Sequence, residues 1–268
     1  MITSDMDGTL LTGGNWDERR LPLDFEEVLE RLESLGIHFL AASGRTYPSV
    51  RANFGELADR IDYICDNGGC LVHGGKVVHI EEIVPELAEK LNRLVQTQRL
   101  GQLSCCSEKG TYLLGGVSWL GSVREQQWIY SLTDFHTLTE PISKMTVRIP
   151  SQLDVFAVRQ QLEDVLGDGL NFVVSGREII DVMKSGVDKG SGLRYFQKMW
   201  GIDREECMSF GDQYNDFGQF EASGWSFAMA NAADEIKAKA RFVADTNDHD
   251  GVTRAIRTYV FGENEALS

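Results

Sequence analysis

The segment Met1-Ile2-Thr3-Ser4-Asp5-Met6-Asp7-Gly8-Thr9-Leu10 constrains this chain more than any other. It sets two carboxylates one residue apart, followed by Gly and Thr, where a short β-branched strand ends. At a strand terminus the backbone leaves its pleat, so Asp5 and Asp7 can both turn toward one point above a sheet edge, and Gly8 permits the tight turn that follows. One carboxylate so placed can attack phosphorus while the other trades a proton with the leaving oxygen. Asp-x-Asp-Gly also occurs in ordinary turns, where both residue types are common, so the reading depends on three further segments.

Those segments sit in an alternating pattern. Phe25, Val28, Leu29, Leu32 and Leu35 recur at helical spacing over 24–35, with Gly36 as a stop. Strands are predicted over 37–42 and 61–65, a helix after Ser43-Gly44-Arg45, and a hairpin over 70–80 around Gly74-Gly75. Strand–helix alternation of this kind builds a parallel sheet. From about residue 83 the pattern changes to helices over 86–100, around 119–132 and over 153–166, among strands near 103–107, 111–114, 145–149, 172–174 and 178–182. After Lys184 the alternation resumes with a helix over 189–200, strands over 207–210, 225–228 and 242–244, a helix from 232 and a last helix over 252–260. No Pro- or Ser-rich linker separates the middle region, which suits an insertion better than a tail-to-head fusion.

Ser43 falls where the second strand ends, and its hydroxyl, with the Gly44 amide, can donate to a phosphate oxygen. Lys189-Gly190 at a helix start offers a point charge and free backbone amides to an anion. Gly211-Asp212-Gln213-Tyr214-Asn215-Asp216 follows the strand Cys-Met-Ser-Phe and brings two more carboxylates to a strand end. Asp212 with Asp5 makes an all-oxygen site of the kind that suits Mg²⁺.

Composition narrows the partners. Among 268 residues, 26 basic against 41 acidic ones give a net charge of −15, which disfavours a nucleic-acid backbone or an anionic membrane surface. The same excess repels phosphorylated metabolites unless the site supplies local positive charge, for which a divalent cation is the obvious source. No apolar run approaches about 18 residues, so no membrane helix is expected. Removal of a signal peptide would take Asp5 with it. Cys65, Cys70, Cys105, Cys106 and Cys207 are an odd count without Cys-x-x-Cys pairs, which reads as apolar filling in a reducing cytoplasm.

The ordered set strand–Asp-x-Asp-Gly-Thr, strand–Ser-Gly, Lys-Gly and strand–Gly-Asp-x-x-Asn-Asp resembles the haloacid-dehalogenase-like (HAD) superfamily of phosphohydrolases. Ala42-Ser43-Gly44-Arg45, Asp66-Asn67-Gly68, Gly186-Val187-Asp188-Lys189-Gly190, Ala228-Met229-Ala230-Asn231-Ala232 and Asp250-Gly251-Val252 are similar to its Cof-type subgroup, and the insertion between the Ser and Lys segments to its class IIB cap. The resemblance implies an α/β fold: a Rossmann-like parallel-sheet core (1–82 and 185–268) with an inserted α+β cap (83–184) that sets specificity. It implies a Mg²⁺-dependent phosphatase acting on a small phosphorylated metabolite, with a sugar phosphate the leading candidate. In it Asp5 is the nucleophile that becomes phosphoaspartyl, Asp7 the general acid and base, and Lys189 the third catalytic residue. Mg²⁺ is held by Asp5, the Asp7 backbone carbonyl and Asp212, with Asp216 orienting them. Ser43, Gly44, Asn215 and Thr9 bind the phosphoryl group. A phosphomutase with the same chemistry and a non-catalytic regulator that binds phosphometabolites remain as alternatives. In the cap, Trp119 and Trp128 read as core residues, and Lys144, Arg148, Arg177 and Lys184 as candidates to face a second anionic group.

Overall fold

The computed structural model describes residues 1–13, 18–114, 129–132 and 137–263. In the first 80 residues lie β1 (Ile2–Asp5), α1 (Phe25–Ser34), β2 (Phe39–Ala42), α2 (Tyr47–Arg51), β3 (Asp62–Cys65), β4 (Cys70–His73) and β5 (Lys76–Ile80). The middle region holds α3 (Pro85–Thr97), β6 (Gln102–Ser107), β7 (Gly110–Leu114), β8 (Ile129–Leu132), β9 (Lys144–Arg148), α4 (Val155–Leu166), β10 (Leu170–Gly176) and β11 (Ile179–Lys184). The last third supplies α5 (Lys189–Trp200), β12 (Met208–Gly211), α6 (Phe217–Ala222), β13 (Trp225–Met229), α7 (Asp234–Lys237), β14 (Phe242–Ala244) and α8 (Gly251–Tyr259).

The described strands form two sheets. One runs β14-β13-β12-β1-β2-β3-β4-β5 and is parallel from β14 to β3, with the hairpin β4–β5 added antiparallel. Its strands come from both ends of the chain. The other, β10-β11-β9-β6-β7-β8, draws every strand from the middle region and is antiparallel except for β7–β8. The fold is thus α/β with a parallel-sheet core interrupted by an α+β unit.

Side-chain alternation explains why helices cover both faces of the first sheet. In β2, Phe39 and Ala41 face α1 and α8, joining Phe25, Val28, Leu29, Leu32, Val252 and Ile256. Leu40 and Ala42 point the other way, onto Leu193 and Phe196 of α5. Covered on both faces, β1, β2 and β12 consist entirely of buried residues. A separate apolar cluster, built on Leu91, Leu103, Met145, Val147, Leu162 and Ile180, closes the middle unit with α3 and α4.

The helix expected around 119–132 needs correction at its end. Residues 115–128, including Trp119 and Trp128, lie outside the described set, and Ile129–Leu132 form β8, parallel to β7. Tyr130 lies opposite Tyr112 with the rings stacked at 5.0 Å, a cross-strand pairing that favours strand over helix in so short an apolar run. The helix at 189–200 runs over Lys189–Trp200, because Asp188 and Ser191 close a capping box at one end and Gly201 takes a left-handed conformation at the other.

Phe25, 1% exposed, meets Phe39 edge-on at 5.2 Å and Phe54 at 5.9 Å, well away from the strand-end carboxylates. Phe25→Ala is expected to lower stability by about 3–5 kcal/mol, measured by urea unfolding, while leaving kcat unchanged at temperatures where the variant is folded.

Candidate active site

Register brings the motifs together. Because β1, β2 and β12 are parallel, their C-terminal ends share one edge of the sheet. Asp5 is level with Ala42, one residue before Ser43, and Ser4 is level with Phe210, two residues before Asp212. This is the edge at which open α/β sheets bind ligands. After Asp5 the chain turns at once, with Leu10 N–H donating to the Asp5 carbonyl and Leu11 N–H to that of Met6. Gly8 sits at φ +84°, and a Cβ there would lie 2.6 Å from Asp212 Oδ2, so glycine is required both by conformation and by the approach of that carboxylate.

Lys189 is fully buried, with Nζ 2.5 Å from Asp5 Oδ1 and 2.7 Å from Asp216 Oδ1. Burial alone would pull its pKa down; Asp216 and then Asp5 more than reverse this and hold it above the ordinary value. Burial raises the Asp5 pKa well above its usual range, opposed by Lys189 and reinforced by Asp216, Asp212 and Asp7. Asp212 is pushed up to about 6 by burial and then by Asp216, against hydrogen bonds from Thr9 and Gln213. One buried cation does not balance this cluster of carboxylates.

Asp5, Asp212 and Asp216 offer oxygens within 4.8 Å of one another. Asp216 is nonetheless saturated: Oδ1 accepts from Lys189 and Gln219 Nε2, and Oδ2 from the Asp212 and Gln213 amides. A carboxylate has about four acceptor positions, so Asp216 orients Lys189 and the Asp212 loop while Asp5 and Asp212 keep lone pairs for a metal. The Thr9 hydroxyl donates to Asp212 Oδ1 at 3.0 Å. The Asp7 carboxylate is not one of these three and pairs with Arg19 and, at 3.1 Å, with Arg45.

A cavity of about 880 Å³ opens over this edge, floored by Asp5, Asp7, Ser43, Gly44 and Asn215 and roofed by the middle unit, including Ser104, Thr111, Lys144, Thr146 and Asp181. Ser43 Oγ accepts from the Arg45 amide at 3.1 Å, which leaves its own proton for a ligand. Of the four basic residues considered for a second anion, Lys144 and Arg177 line the cavity. Arg148 pairs with Glu178 and Lys184 with Glu81 instead. Lys144 is buried and bonded to Asp181 Oδ1 at 2.9 Å and to the Gly44 carbonyl at 2.7 Å. Asp181 and Asn67 were not singled out as site residues from sequence. The available signals were a charged residue inside the apolar run Ile-Ile-Asp-Val-Met and the turn Asp66-Asn67-Gly68.

A parallel α/β sheet whose strand ends gather carboxylates, a buried lysine and hydrogen-bond donors beside a cavity has the chemistry to bind and transfer an anionic group. Comparison with known proteins agrees. The family model for haloacid dehalogenase-like hydrolases matches residues 2–256. The 5-amino-6-(5-phospho-D-ribitylamino)uracil phosphatase YbjI of Escherichia coli is 30% identical over 259 residues, covering 96% of this chain and 94% of that protein. The crystal structure of SMU.1108c from Streptococcus mutans superposes with a TM-score of 0.86 at 25% identity, covering 97% of this chain and 98% of the other. The HAD subclass IIB sugar phosphatase BT4131 shares the fold at a TM-score of 0.81 and 22% identity, over 97% and 98% of the two chains. The chain belongs to the haloacid dehalogenase-like hydrolases and is an enzyme of their phosphatase branch.

Two outcomes follow from these electrostatics. Lys189→Met leaves Asp5 and Asp216 buried without their cation and is expected to cost about 3–5 kcal/mol at neutral pH, read from urea titrations. Asp66, buried beneath the middle unit, has its pKa raised to about 7 by burial and, less strongly, by Asp181, against Lys144, Ser143 and Cys106. The native state therefore holds this proton more tightly than the unfolded chain, and the stability so gained fades as pH rises from about 4 to about 7. Asp66→Asn, which also suits the left-handed φ of +53° at this position, should raise the unfolding midpoint relative to the wild type at pH 8 but not at pH 4.

Proposed function

We propose that this enzyme is a Mg²⁺-dependent phosphatase that hydrolyses a small phosphorylated metabolite through a phosphoaspartyl intermediate on Asp5. The observation that carries this reading is the Asp5–Lys189 ion pair at the end of a central parallel strand, facing a cavity with Ser43 and Asn215 beside it. A carboxylate oxygen of Asp5 attacks phosphorus as the bond to the leaving oxygen breaks, and Asp7 gives that oxygen its proton. Asp7 then takes a proton from the water that attacks phosphorus, which frees orthophosphate and restores Asp5. Because Asp7 is paired with Arg19 and Arg45, the leaving oxygen must displace part of that pairing to receive the proton. Lys189, Ser43, the Gly44 amide and Asn215 would hold the equatorial oxygens as negative charge builds.

The donor set fits Mg²⁺, since it is all oxygen and carries negative charge that Lys189 alone does not neutralise. Asp5, the Asp7 carbonyl and Asp212 would hold the ion, which supplies charge neutralisation between the nucleophile and the phosphoryl group. Thr9, through Asp212, is an orienting residue in this scheme. The core comprises 1–82 and 185–268 and the cap 83–184, a division supported by the strand membership of the two sheets. The hydroxyls of Ser104, Thr111 and Thr146 beside Lys144 and Asp181 suit a leaving group rich in hydroxyls, hence a sugar or polyol phosphate. The name of the E. coli relative specifies a 5-phospho-D-ribityl group, which is of this kind. Five buried free cysteines suit a reducing cytoplasm.

Phosphate release from a panel of phosphorylated sugars, polyols and cofactors tests the reading. Release should require Mg²⁺, stop on chelation and recover on adding the ion back, and Asp5→Asn should fall at least about a thousandfold in kcat while remaining folded. Undiminished turnover by that variant would remove the mechanism, and isomerised product without free phosphate would make the enzyme a mutase.

A further inference from the structure

Asp181 belongs to the cap, yet a chain of hydrogen bonds joins it to the core loop that carries Asn215. Its Oδ1 accepts from Lys144 at 2.9 Å and Thr146 at 2.9 Å, and its Oδ2 accepts from Asn67 Nδ2 at 3.0 Å. A carboxylate ion-paired with lysine only accepts, so Asn67 must turn its NH₂ toward Asp181 and its carbonyl oxygen away. That oxygen accepts from Asn215 Nδ2 at 3.0 Å. The demand for a donor at Asp181 therefore sets two amides in succession, and Asn215, which lines the cavity, keeps its second N–H to offer a phosphoryl oxygen. With the amides reversed, Asn215 would present a carbonyl oxygen to an anion.

The backbone holds this relay in an unfavourable conformation. Asp66, Asn67 and Gly68 adopt φ of +53°, +54° and +99° in succession, and Asp66 and Asn67 are almost wholly buried. A Cβ at Gly68 would lie 2.1 Å from the Asp188 carbonyl, next to Lys189. Strain of this kind persists only where surrounding structure enforces it, and it gathers at functional sites. Lys144 extends the grip to the second phosphate loop through its 2.7 Å bond to the Gly44 carbonyl.

We propose that the Lys144–Asp181 pair is a positioning device by which the docked cap completes the phosphate pocket: through Asn67 it aligns the Asn215 amide, and through Lys144 it fixes Gly44. This rests on the function proposed above in taking Ser43-Gly44 and Asn215 as the phosphate loops. The phosphate pocket is then fully formed only beneath the cap, so that phosphoryl groups are held and transferred where water is excluded.

Affinity for inorganic phosphate in the presence of Mg²⁺, measured by calorimetry and as a product-inhibition constant, tests this role. Asn at 181 can face Asn67 with either donor or acceptor, so Asp181→Asn frees the amides, whereas Asn67→Ala cuts the relay and leaves the Lys144–Asp181 pair whole. Each variant should weaken phosphate binding about tenfold, the effect of one misdirected hydrogen bond. The value of kcat/KM for p-nitrophenyl phosphate, whose leaving group has no hydroxyls to be read by the cap, should fall with it. A lower unfolding midpoint with unchanged phosphate affinity would mark the residues as architectural, and a loss confined to hydroxyl-bearing substrates would mark them as readers of the leaving group. Either result overturns the positioning role. Should Asp181→Asn fail to fold, Asn67→Ala decides. A wild type that binds no phosphate overturns the phosphate-loop assignment and this role together, whereas unchanged affinity in the variants of an active wild type overturns this role alone.

Discussion

The burial of the Lys189 ammonium between Asp5 and Asp216 organises everything around it. Taking three ionic groups out of water is costly unless geometry and further hydrogen bonds offset the loss, and the fold supplies both. Asp216 is satisfied on all sides, which holds Lys189 in place and aims its remaining charge at Asp5. To present the lysine there, α5 must start at residue 189, and the Asp188–Ser191 capping box sets that start. To present the carboxylates there, β1 and β12 must be parallel neighbours in the observed register. The ion pair thus explains why segments nearly the whole chain apart in sequence have to meet.

The same charge arithmetic accounts for what the site asks of its ligands. Asp5 and Asp212 both have raised pKa values, first because they are buried and then because neighbouring carboxylates add to the effect against Lys189. A divalent cation relieves that imbalance and a phosphoryl group alone worsens it, so cation and substrate are linked in sign. The arginines extend this logic to the cavity floor, where Arg19 and Arg45 keep the Asp7 carboxylate paired. For a chain of net charge −15, local positive charge of this kind sets whether an anion can enter at all.

Much of this was readable from the sequence, for a physical reason. Asp5 ends a strand, Ser43 and Asp212 each follow one and Lys189 opens a helix, and the apolar periodicity that marks those elements also marks the ends where ligands gather. The α/β core, the insertion and the extent of α5 followed from the same patterns. What escaped was pairing across long separations. Thr9 turns to Asp212, 203 residues away, and Asn67 meets Asp181, 114 residues away. No local signal reports such contacts. The helix expected to end at 132 failed for a related reason: Ile129–Leu132 is too short to declare a period, and its partner strand decided its state.

Several polar contacts join the middle unit to the parallel-sheet core, and on the function proposed above they bear on turnover. Ser143 meets Asp66, Asn67 meets Asp181, Lys144 meets the Gly44 carbonyl and Lys184 meets Glu81. A polar contact exchanged for water changes free energy by only about 1 kcal/mol, far less than separating an apolar interface of equal area. Asp66 is the weak point of this set: its Oδ1 finds no N–H or hydroxyl partner among the described residues, and the Cys106 thiol beside it is a weak donor. On the proposed function, hydration of that oxygen would favour an open cap, while the Lys144–Asp181 grip on the Gly44 and Asn215 loops would favour a closed one. If the enzyme hydrolyses a phosphate ester as proposed, an interface balanced in this way would exclude water during transfer and still part to let orthophosphate leave.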